Sequence, residues 1–189
     1  MEPALPRIPF PEPETMTPDQ RRVHDSIISG PRGRIVGPLR AALHNPELAD
    51  HWQKLGALLR YGTSLEARHS ELAILVTARA CNSSFEWFQH EQPALESGLS
   101  AAIIESIRTR QTPEFQDGPD RIIHDYALQL LQNHTVEETT HQAVCGLYGA
   151  KGVVELTALI GYYTLVAMTL NAHGFELPEG ATDPFGDAP

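Results

Sequence analysis

The chain has 189 residues, of which 41% are hydrophobic and 20% charged, a composition typical of a soluble globular domain with a sizeable core. Its formal net charge is −10, from 14 basic and 24 acidic residues, and no cluster of lysines or arginines interrupts this balance. These values argue against nucleic acid or an anionic membrane surface as a partner.

The first 16 residues are rich in proline, which occupies positions Pro3, Pro6, Pro9, Pro11 and Pro13. Because proline fixes φ and has no N–H donor, this stretch is predicted to be an extended arm, either disordered or lying across a partner subunit. Its acidic residues and prolines differ from the basic start and apolar run of a secretory signal. Together with only two cysteines, Cys81 and Cys145, this favours a cytoplasmic location.

Apolar residues recur at helical spacing through the rest of the chain, and capping signals mark where helices begin. Thr17-Pro18 and Asn45-Pro46 each place a capping side chain before a proline at the first helical position. No segment shows the clear alternation of a strand. Helices are predicted over residues 18–28, 46–59, 66–81, 84–98, 101–110, 119–132, 136–148 and 152–173. The fold class is therefore all-α, with roughly eight helices.

The most apolar segment, residues 156–172, is marginal in length for a membrane span and includes several polar side chains. We therefore expect a core or subunit-interface helix with Tyr162 and Tyr163 in the core, and no membrane contact. The expected domain organisation is an extended arm over residues 1–16, a single domain over 17–180 and a flexible tail over 181–189.

The stretch from Cys81 to His90, CNSSFEWFQH, has the clearest chemical potential. Glu86 and His90 are four positions apart, so their side chains lie on one face of the predicted 84–98 helix. Ser83 precedes them on the same face, and the aromatic residues around the pair leave little of the segment fully solvated. A carboxylate and an imidazole in apolar surroundings perturb each other's pKa values, which suits a proton-transfer pair.

Other interpretations of this stretch stay open from spacing alone. Ser83 and Glu86 also form the pattern of a helix capping box, which is far commoner than an active site. A metal half-site would need further ligands, and the one similar arrangement, around His141, lies on a polar stretch typical of a solvated face. We expect no metal. Nucleophilic catalysis has little support, because Ser83 lacks a G-x-S-x-G turn and Cys81 has no second cysteine nearby.

Four residues, Glu71, Ser83, Glu86 and His90, share the spacing of a known signature. They resemble the AhpD-like alkylhydroperoxidases, in which a glutamate, the two cysteines of Cys-x-x-Cys and a histidine occupy these positions. Here serine and glutamate stand where the cysteines would be. The run EWFQH is instead similar to the Glu-aromatic-x-x-His of the related carboxymuconolactone decarboxylases, as are the flanking sequences NPELADHWQKLGALLRYGTSL and GYYTLVAMTLNAHGFELPEG. The resemblance covers residues 38–100 and 153–180.

This resemblance implies an AhpD-like multi-helix bundle that assembles as a homo-oligomer, a trimer or a hexamer. It also implies a cofactor-independent lyase, a decarboxylase of a small carboxylate or lactone. In such an enzyme His90 would be the general acid and base, Glu86 would orient and charge it, and Glu71 would complete the proton relay. An isomerisation or a ring opening would use the same groups.

Two further functions are alternatives. A dithiol peroxidase should be absent without the paired cysteines, so a hydroperoxide reductase would have to use Cys81 alone. A non-catalytic binding or assembly protein could keep the same fold. Substitution of Cys81, or of Glu86 and His90, distinguishes these alternatives from the lyase.

Residues expected to bind substrate lie beside the Glu86–His90 pair or at helix ends in the family-like segments. An arginine, Arg60 or Arg79, would hold a substrate carboxylate bidentately, although Arg79 could instead pair with Glu71. A cation at a helix C-terminus also stabilises the helix dipole without any substrate. The expected substrate-binding residues are Ser83, Arg60, Tyr61, Arg79, Trp87, Asn171 and His173.

Overall fold

The computed structural model describes residues 7–31, 33–35, 37–116 and 118–186. Over these ranges it contains eight α-helices, one short 3₁₀-helix (Pro13–Thr15) and no strand. The α-helices are α1 (Pro18–Ser29), α2 (Pro38–Ala42), α3 (Pro46–Tyr61), α4 (Ala67–Ala80), α5 (Ser84–Glu96), α6 (Ala101–Arg108), α7 (Gly118–Asn133) and α8 (Glu138–His173). The predicted all-α class is confirmed.

One helix is absent from the prediction. Helix α2 was not predicted, because five residues after Gly37 are too few to show a period. Helix α8 consists of two helical stretches that meet at a kink at Gly149, and these correspond to the helices predicted at 136–148 and 152–173. Gly149 has φ 66° and ψ −177°, angles that glycine adopts readily and other residues adopt only with strain, so this glycine determines where the break falls.

The chain forms two compact units. Unit 1 comprises the described residues up to Gly62 together with Thr169–Glu176, and unit 2 comprises Thr63–Met168 and the described residues from Leu177 onwards. Residues 1–6 of the predicted arm and 187–189 of the predicted tail lie outside the described residues.

Unit 1 contains helices α1 to α3 and the described part of the N-terminal arm. The Arg7 N–H donates to the carbonyl of His173 at 3.0 Å, and the ring of Phe10 lies 5.0 Å from that of Phe175. Thr17 caps α1 in a capping box with Gln20, as the Thr-Pro signal predicted. The described part of the arm is therefore attached to its own unit.

Unit 2 is built around helix α4. Every residue from Leu72 to Ala78 is buried, and α4 packs against α5, α6 and α7. A helix that is apolar on all sides belongs in a core, and the sequence LAILVTA meets that condition except for Thr77, whose hydroxyl donates to the carbonyl of Ala73 at 2.8 Å. The polar residues near both ends of this core helix form the site described below.

Helix α8 is the one described helix that is long and apolar enough to cross a membrane, judged by length and composition. Half of its most apolar window is buried inside the protein. Tyr162 and Tyr163 are buried, as expected.

Candidate active site

Helices α4 and α5 are joined by a tight turn through Asn82. This residue has φ 50°, a left-handed conformation that asparagine tolerates better than most residues. The Ser83 N–H donates to the carbonyl of Ala78 at 2.8 Å, and the Asn82 N–H donates to that of Arg79 at 3.2 Å. These are the two hydrogen bonds of a Schellman motif, which ends α4 and starts α5 with no intervening loop.

Glu71 of α4 and His90 of α5 form a buried pair. The Nδ1 atom of His90 lies 2.7 Å from Oε2 of Glu71, and the two side chains are 6% and 12% exposed. With Nδ1–H donating to the carboxylate, Nε2 is the nitrogen left to accept or deliver a proton. The ring of Tyr163 meets the imidazole edge-on, with centroids 5.0 Å apart and planes at 90°. Two neighbours therefore fix the orientation of the imidazole.

Glu86 is not the partner of His90 that the sequence led us to expect. The hydrogen bond to the imidazole is made by Glu71, and both carboxyl oxygens of Glu86 are buried with no hydrogen-bonding partner among the described residues. Residues four apart share a helix face, but spacing along one helix does not reveal which side chain the neighbouring helix presents. Glu71, rather than Glu86, therefore fixes the orientation of the His90 imidazole.

The capping-box interpretation of Ser83 and Glu86 is wrong. No side chain caps helix α5, and the Ser83 hydroxyl is buried without a partner among the described residues. In a capping box the glutamate accepts the N–H of the cap residue, but the Ser83 N–H is already bonded to Ala78 in the Schellman motif. Both side chains instead face the protein interior, with residue exposures of 0% and 2%.

Burial changes the acidity of two groups in this region. The pKa of the Glu86 carboxyl is raised well above its ordinary 4.5, because burial disfavours the carboxylate. The neutral acid is thereby favoured, and it can donate a hydrogen bond or a proton. Burial, and then the charge of Glu86, also raises the pKa of the Cys81 thiol. The thiolate that peroxide reduction requires is disfavoured at Cys81.

Trp87 and Arg79, two expected substrate-binding residues, also belong to unit 2. Trp87 is fully buried, and its indole N–H has no partner among the described residues. Arg79 does not pair with Glu71: its Nε donates to the carbonyl of Arg108 at 2.7 Å and its Nη1 to the side chain of Asn82. Contact of Arg79 with a substrate carboxylate stays a prediction.

The other four expected substrate-binding residues belong to unit 1. Arg60 and Tyr61 are exposed at the end of α3, with the guanidinium carbon 5.8 Å from the centre of the tyrosine ring. Asn171 is exposed and His173 is half-buried at the end of α8. Their contacts with substrate stay predictions.

A second buried polar cluster, not recognised from the sequence, joins helices α4, α7 and α8. Arg68 donates from Nε to both carboxylate oxygens of Asp120, at 2.9 and 3.0 Å. His69 Nε2 lies 3.3 Å from Asp120, and its Nδ1 accepts the hydroxyl of Tyr148. The Tyr148 oxygen in turn accepts the N–H of Glu66 at 3.2 Å. These bonds form a continuous network. The adjacent Arg68 and His69 at the start of α4 are the sequence feature that could have indicated it.

The Glu71–His90 cluster supplies groups that move protons. It combines an imidazole held by a carboxylate, a carboxyl group whose pKa is raised by burial and a buried hydroxyl in one helix pair. In the part of the chain that the structure describes, no group of three or more histidine, cysteine, aspartate or glutamate side chains could hold a metal ion.

Comparison with known proteins gives a fold and no close relative. No family model matches the chain, and no curated protein matches it. Among solved structures, the alkylhydroperoxidase AhpD core, an uncharacterized peroxidase-related protein from Ralstonia eutropha JMP134, matches with a TM-score of 0.75 and 15% identity over 96% of this chain and 95% of that one. The chain has the AhpD core fold.

A second structure with this fold, an uncharacterized peroxidase-related protein from Silicibacter sp. TM1040, has a TM-score of 0.69 and 15% identity over 93% of this chain and 92% of that one. The AhpD-like bundle predicted from the signature is thus confirmed as the fold. Identity this low supports the AhpD core fold alone and does not identify the decarboxylase branch.

Proposed function

We propose that this chain is a cofactor-independent proton-transfer enzyme, a carboxy-lyase acting on a small carboxylate or lactone. The observation that carries the proposal is the largely buried hydrogen bond of 2.7 Å between Glu71 and His90. The His90 imidazole is held by the Glu71 carboxylate, and Glu86 on the same helix has a raised pKa that favours its neutral acid. Such a set suits general acid–base catalysis, in which the surroundings of each group set its pKa and thereby its role.

In the proposed reaction, His90 delivers the proton. The bond between the substrate carbon and its carboxylate breaks, carbon dioxide leaves, and the electron pair stays on the carbon as a carbanion or enolate. The imidazolium of His90 then gives its Nε2 proton to that carbon. Glu71 holds Nδ1–H and stabilises the imidazolium before the transfer, as a buried carboxylate does for a catalytic histidine.

Glu86 and Ser83 have hydrogen-bonding capacity that no described residue uses. A neutral Glu86 can donate to an oxygen on which negative charge develops, and the Ser83 hydroxyl can donate to the same oxygen or to a second one. An isomerisation or ring opening through an enolate would need the same donors. The choice among these reactions depends on the substrate.

The test is proton transfer to carbon from a panel of small carboxylates and lactones, followed as carbon dioxide release and as deuterium incorporation from heavy water. The natural chain should act on at least one compound, and His90→Gln should lose that activity. Glu96→Gln, an exposed position on the same helix, is the matched control and should keep it. Activity that survives in His90→Gln would rule out the proposed mechanism.

Hydroperoxide reduction is a second candidate, because both similar structures are named as peroxidase-related proteins. In this chain Cys81 would have to supply the thiolate. The raised pKa of its thiol and the absence of the Cys-x-x-Cys spacing weigh against it.

A non-catalytic binding or assembly protein is the third candidate. The buried donors and acceptors of Ser83, Glu86 and His90 would then recognise a ligand without changing it. In that case, His90→Ala and Glu86→Gln would leave the biological function intact, and no compound of the panel would exchange a proton.

The proposal includes a cytoplasmic homo-oligomer, a trimer or a hexamer, with no nucleic-acid or membrane partner. Helix α8 supports self-association, because small and apolar residues at helical spacing are exposed along one side of it. They are Val154, Ala158, Gly161, Leu165 and Met168. A contact with a second copy would remove this surface from water. Sedimentation should show an oligomer that Leu165→Glu converts to smaller species, and a monomeric natural chain would contradict this.

A further inference from the structure

The C-terminal residues Asp183 to Gly186 form a turn encoded by the sequence Asp-Pro-Phe-Gly. The Gly186 N–H donates to the Asp183 carbonyl at 3.2 Å, and the Phe185 N–H donates to the Asp183 carboxylate at 2.9 Å. Aspartate, proline and glycine stand at the turn positions that favour each of them. We refer to residues 183–186 as the C-terminal turn. The turn falls within the tail that was predicted to be flexible, and its hydrogen bonds were not predicted.

The C-terminal turn lies on three helices of unit 2. The Ser84 hydroxyl donates to the Asp183 carboxylate at 2.8 Å, and Arg108 Nη1 donates to the Pro184 carbonyl at 2.7 Å. The Phe185 ring meets the ring of Trp87 edge-on, with centroids 5.4 Å apart. The Arg79 guanidinium lies over the Phe185 ring, with its central carbon 4.4 Å from the ring centre.

The surface under the C-terminal turn is positively charged, in a chain whose net charge is −10. Arg79 and Arg110 both donate to the Asn82 side-chain oxygen, and no described carboxylate pairs with either of them. Burial first, and then the charges of Arg110 and Arg108, lower the pKa of Arg79. Arg108 is paired with Glu105, so Arg79 and Arg110 are the cations of this surface that favour an anion.

We propose that this surface is a binding site for a small aromatic carboxylate, and that the C-terminal turn occupies it in competition with that ligand. Phe185 and Asp183 supply a phenyl ring and a carboxylate, and each of them contacts protein groups of complementary chemistry. The ring makes a cation–π contact with the Arg79 guanidinium and an edge-to-face contact with the Trp87 indole. The carboxylate accepts a hydrogen bond from the Ser84 hydroxyl.

The surface adjoins the candidate active site along helix α5, because Ser84 and Trp87 directly follow Ser83 and Glu86 in the chain. The inference rests on the proposed function only in taking the substrate of the adjoining site to be a small carboxylate. Its test measures binding without turnover, so it can fail while proton transfer succeeds, or succeed while proton transfer fails.

The test is titration of the full-length chain with benzoate, followed by calorimetry and by the fluorescence of Trp87. A Trp52→Phe background leaves Trp87 as the single tryptophan and removes a buried indole N–H that has no partner. The Phe185→Ala variant should bind benzoate about tenfold more tightly than the chain with the unaltered turn. The reason is that the Phe185 side chain, by filling the site, lowers the apparent affinity for benzoate. Glu179→Ala, exposed in the same C-terminal segment, should not change the affinity.

Two comparisons test the ligand class. Benzamide, which keeps the ring and lacks the charge, and cyclohexanecarboxylate, which keeps the charge and lacks the aromatic ring, should both bind more weakly than benzoate. Arg79→Gln should remove benzoate binding, whereas Arg121→Gln, an exposed arginine on α7, should not.

The inference is overturned by equal benzoate affinity in Phe185→Ala and Glu179→Ala, or by benzamide binding as tightly as benzoate. It is also overturned if benzoate leaves Trp87 fluorescence unchanged in both the unaltered turn and Phe185→Ala. Circular dichroism and thermal unfolding identify a variant that has lost its fold. Should Phe185→Ala be one, Asp183→Ala replaces it, with the same tightening expected and the same results overturning the inference.

Discussion

The imidazole of His90 and the carboxylate of Glu71 meet between two helices at 2.7 Å, with both side chains largely removed from water. Glu71→Gln would keep the size of the side chain and lose the charge that stabilises an imidazolium. We expect the turnover number for the proposed reaction to fall on the order of a hundredfold, with a smaller change in KM. Steady-state kinetics beside the Glu96→Gln control would measure this. Equal turnover in both variants would remove Glu71 from the mechanism.

Glu86 should make stability fall as the pH rises. The unfolded chain ionises this carboxyl near its ordinary pKa of 4.5, whereas the folded chain does so only at a higher pH because burial raises the pKa. Between those values the unfolded state holds fewer protons, so the free energy of unfolding falls by up to about 1.4 kcal/mol per pH unit from this group.

Glu86→Gln should remove this dependence. The variant should therefore gain stability relative to the natural chain as the pH rises above about 4.5, with no such trend below it. Urea denaturation at a series of pH values measures the difference, and Glu96→Gln should run parallel to the natural chain. A Glu86→Gln curve that also runs parallel would mean that the folded-state pKa is not raised.

The hydroxyl of Tyr148 links His69 to the backbone of Glu66. Tyr148→Phe would leave the His69 Nδ1 atom and the Glu66 N–H without this partner, and we expect a loss of about 1–3 kcal/mol in the free energy of unfolding. Tyr61→Phe, at an exposed position, should change stability little. Equal effects of the two substitutions in chemical denaturation would show that the hydroxyl contributes nothing to the second polar cluster.

Cys81→Ser should leave the proposed proton-transfer activity unchanged, because the thiol is disfavoured as a thiolate and plays no part in the Glu71–His90 pair. Consumption of organic hydroperoxides should be slow in the natural chain and no slower in this variant. Cys145→Ser is the matched control in both assays. Rapid peroxide consumption that only Cys81→Ser abolishes would support the reductase instead.

Gly149 should resist substitution. Alanine there would have to adopt φ near 66° with ψ near −177°, which we expect to cost about 1–3 kcal/mol of stability. Gly146→Ala, an exposed position in the same helix with open space around its Cα, should stabilise by up to about 1 kcal/mol. Thermal unfolding of the two variants measures the contrast. A Gly149→Ala variant as stable as the natural chain would show that the break does not depend on glycine.

Sequence patterns predicted the helices well where a capping signal adjoins a long apolar period. Helices α1 and α3 begin at the prolines expected from Thr17-Pro18 and Asn45-Pro46. Helix α2 escaped detection because five residues carry no period. The break at Gly149 lies where the last two helices were predicted to separate.

The signature spacing singled out Glu71 and His90 without showing that their side chains bond to each other. The shared face of Glu86 and His90 follows from helix geometry alone, but the bond between His90 and Glu71 depends on how α4 packs against α5. The capping box failed because the Ser83 N–H serves the end of the preceding helix, a use that only three-dimensional structure reveals. Tyr163 was correctly expected to be buried, and its contact with His90 went unpredicted because it comes from a distant part of the chain.

The turn at Asn82 constrains the number of residues that can join α4 and α5. Ser83 is at once the last residue of one capping motif and the residue before the next helix, so the rotation of α5 about its axis is locked to that of α4. One residue inserted there would turn α5 by about 100° and carry His90 away from Glu71. Substitutions can change the chemistry of this pair, but the number of residues in the turn determines whether the pair exists.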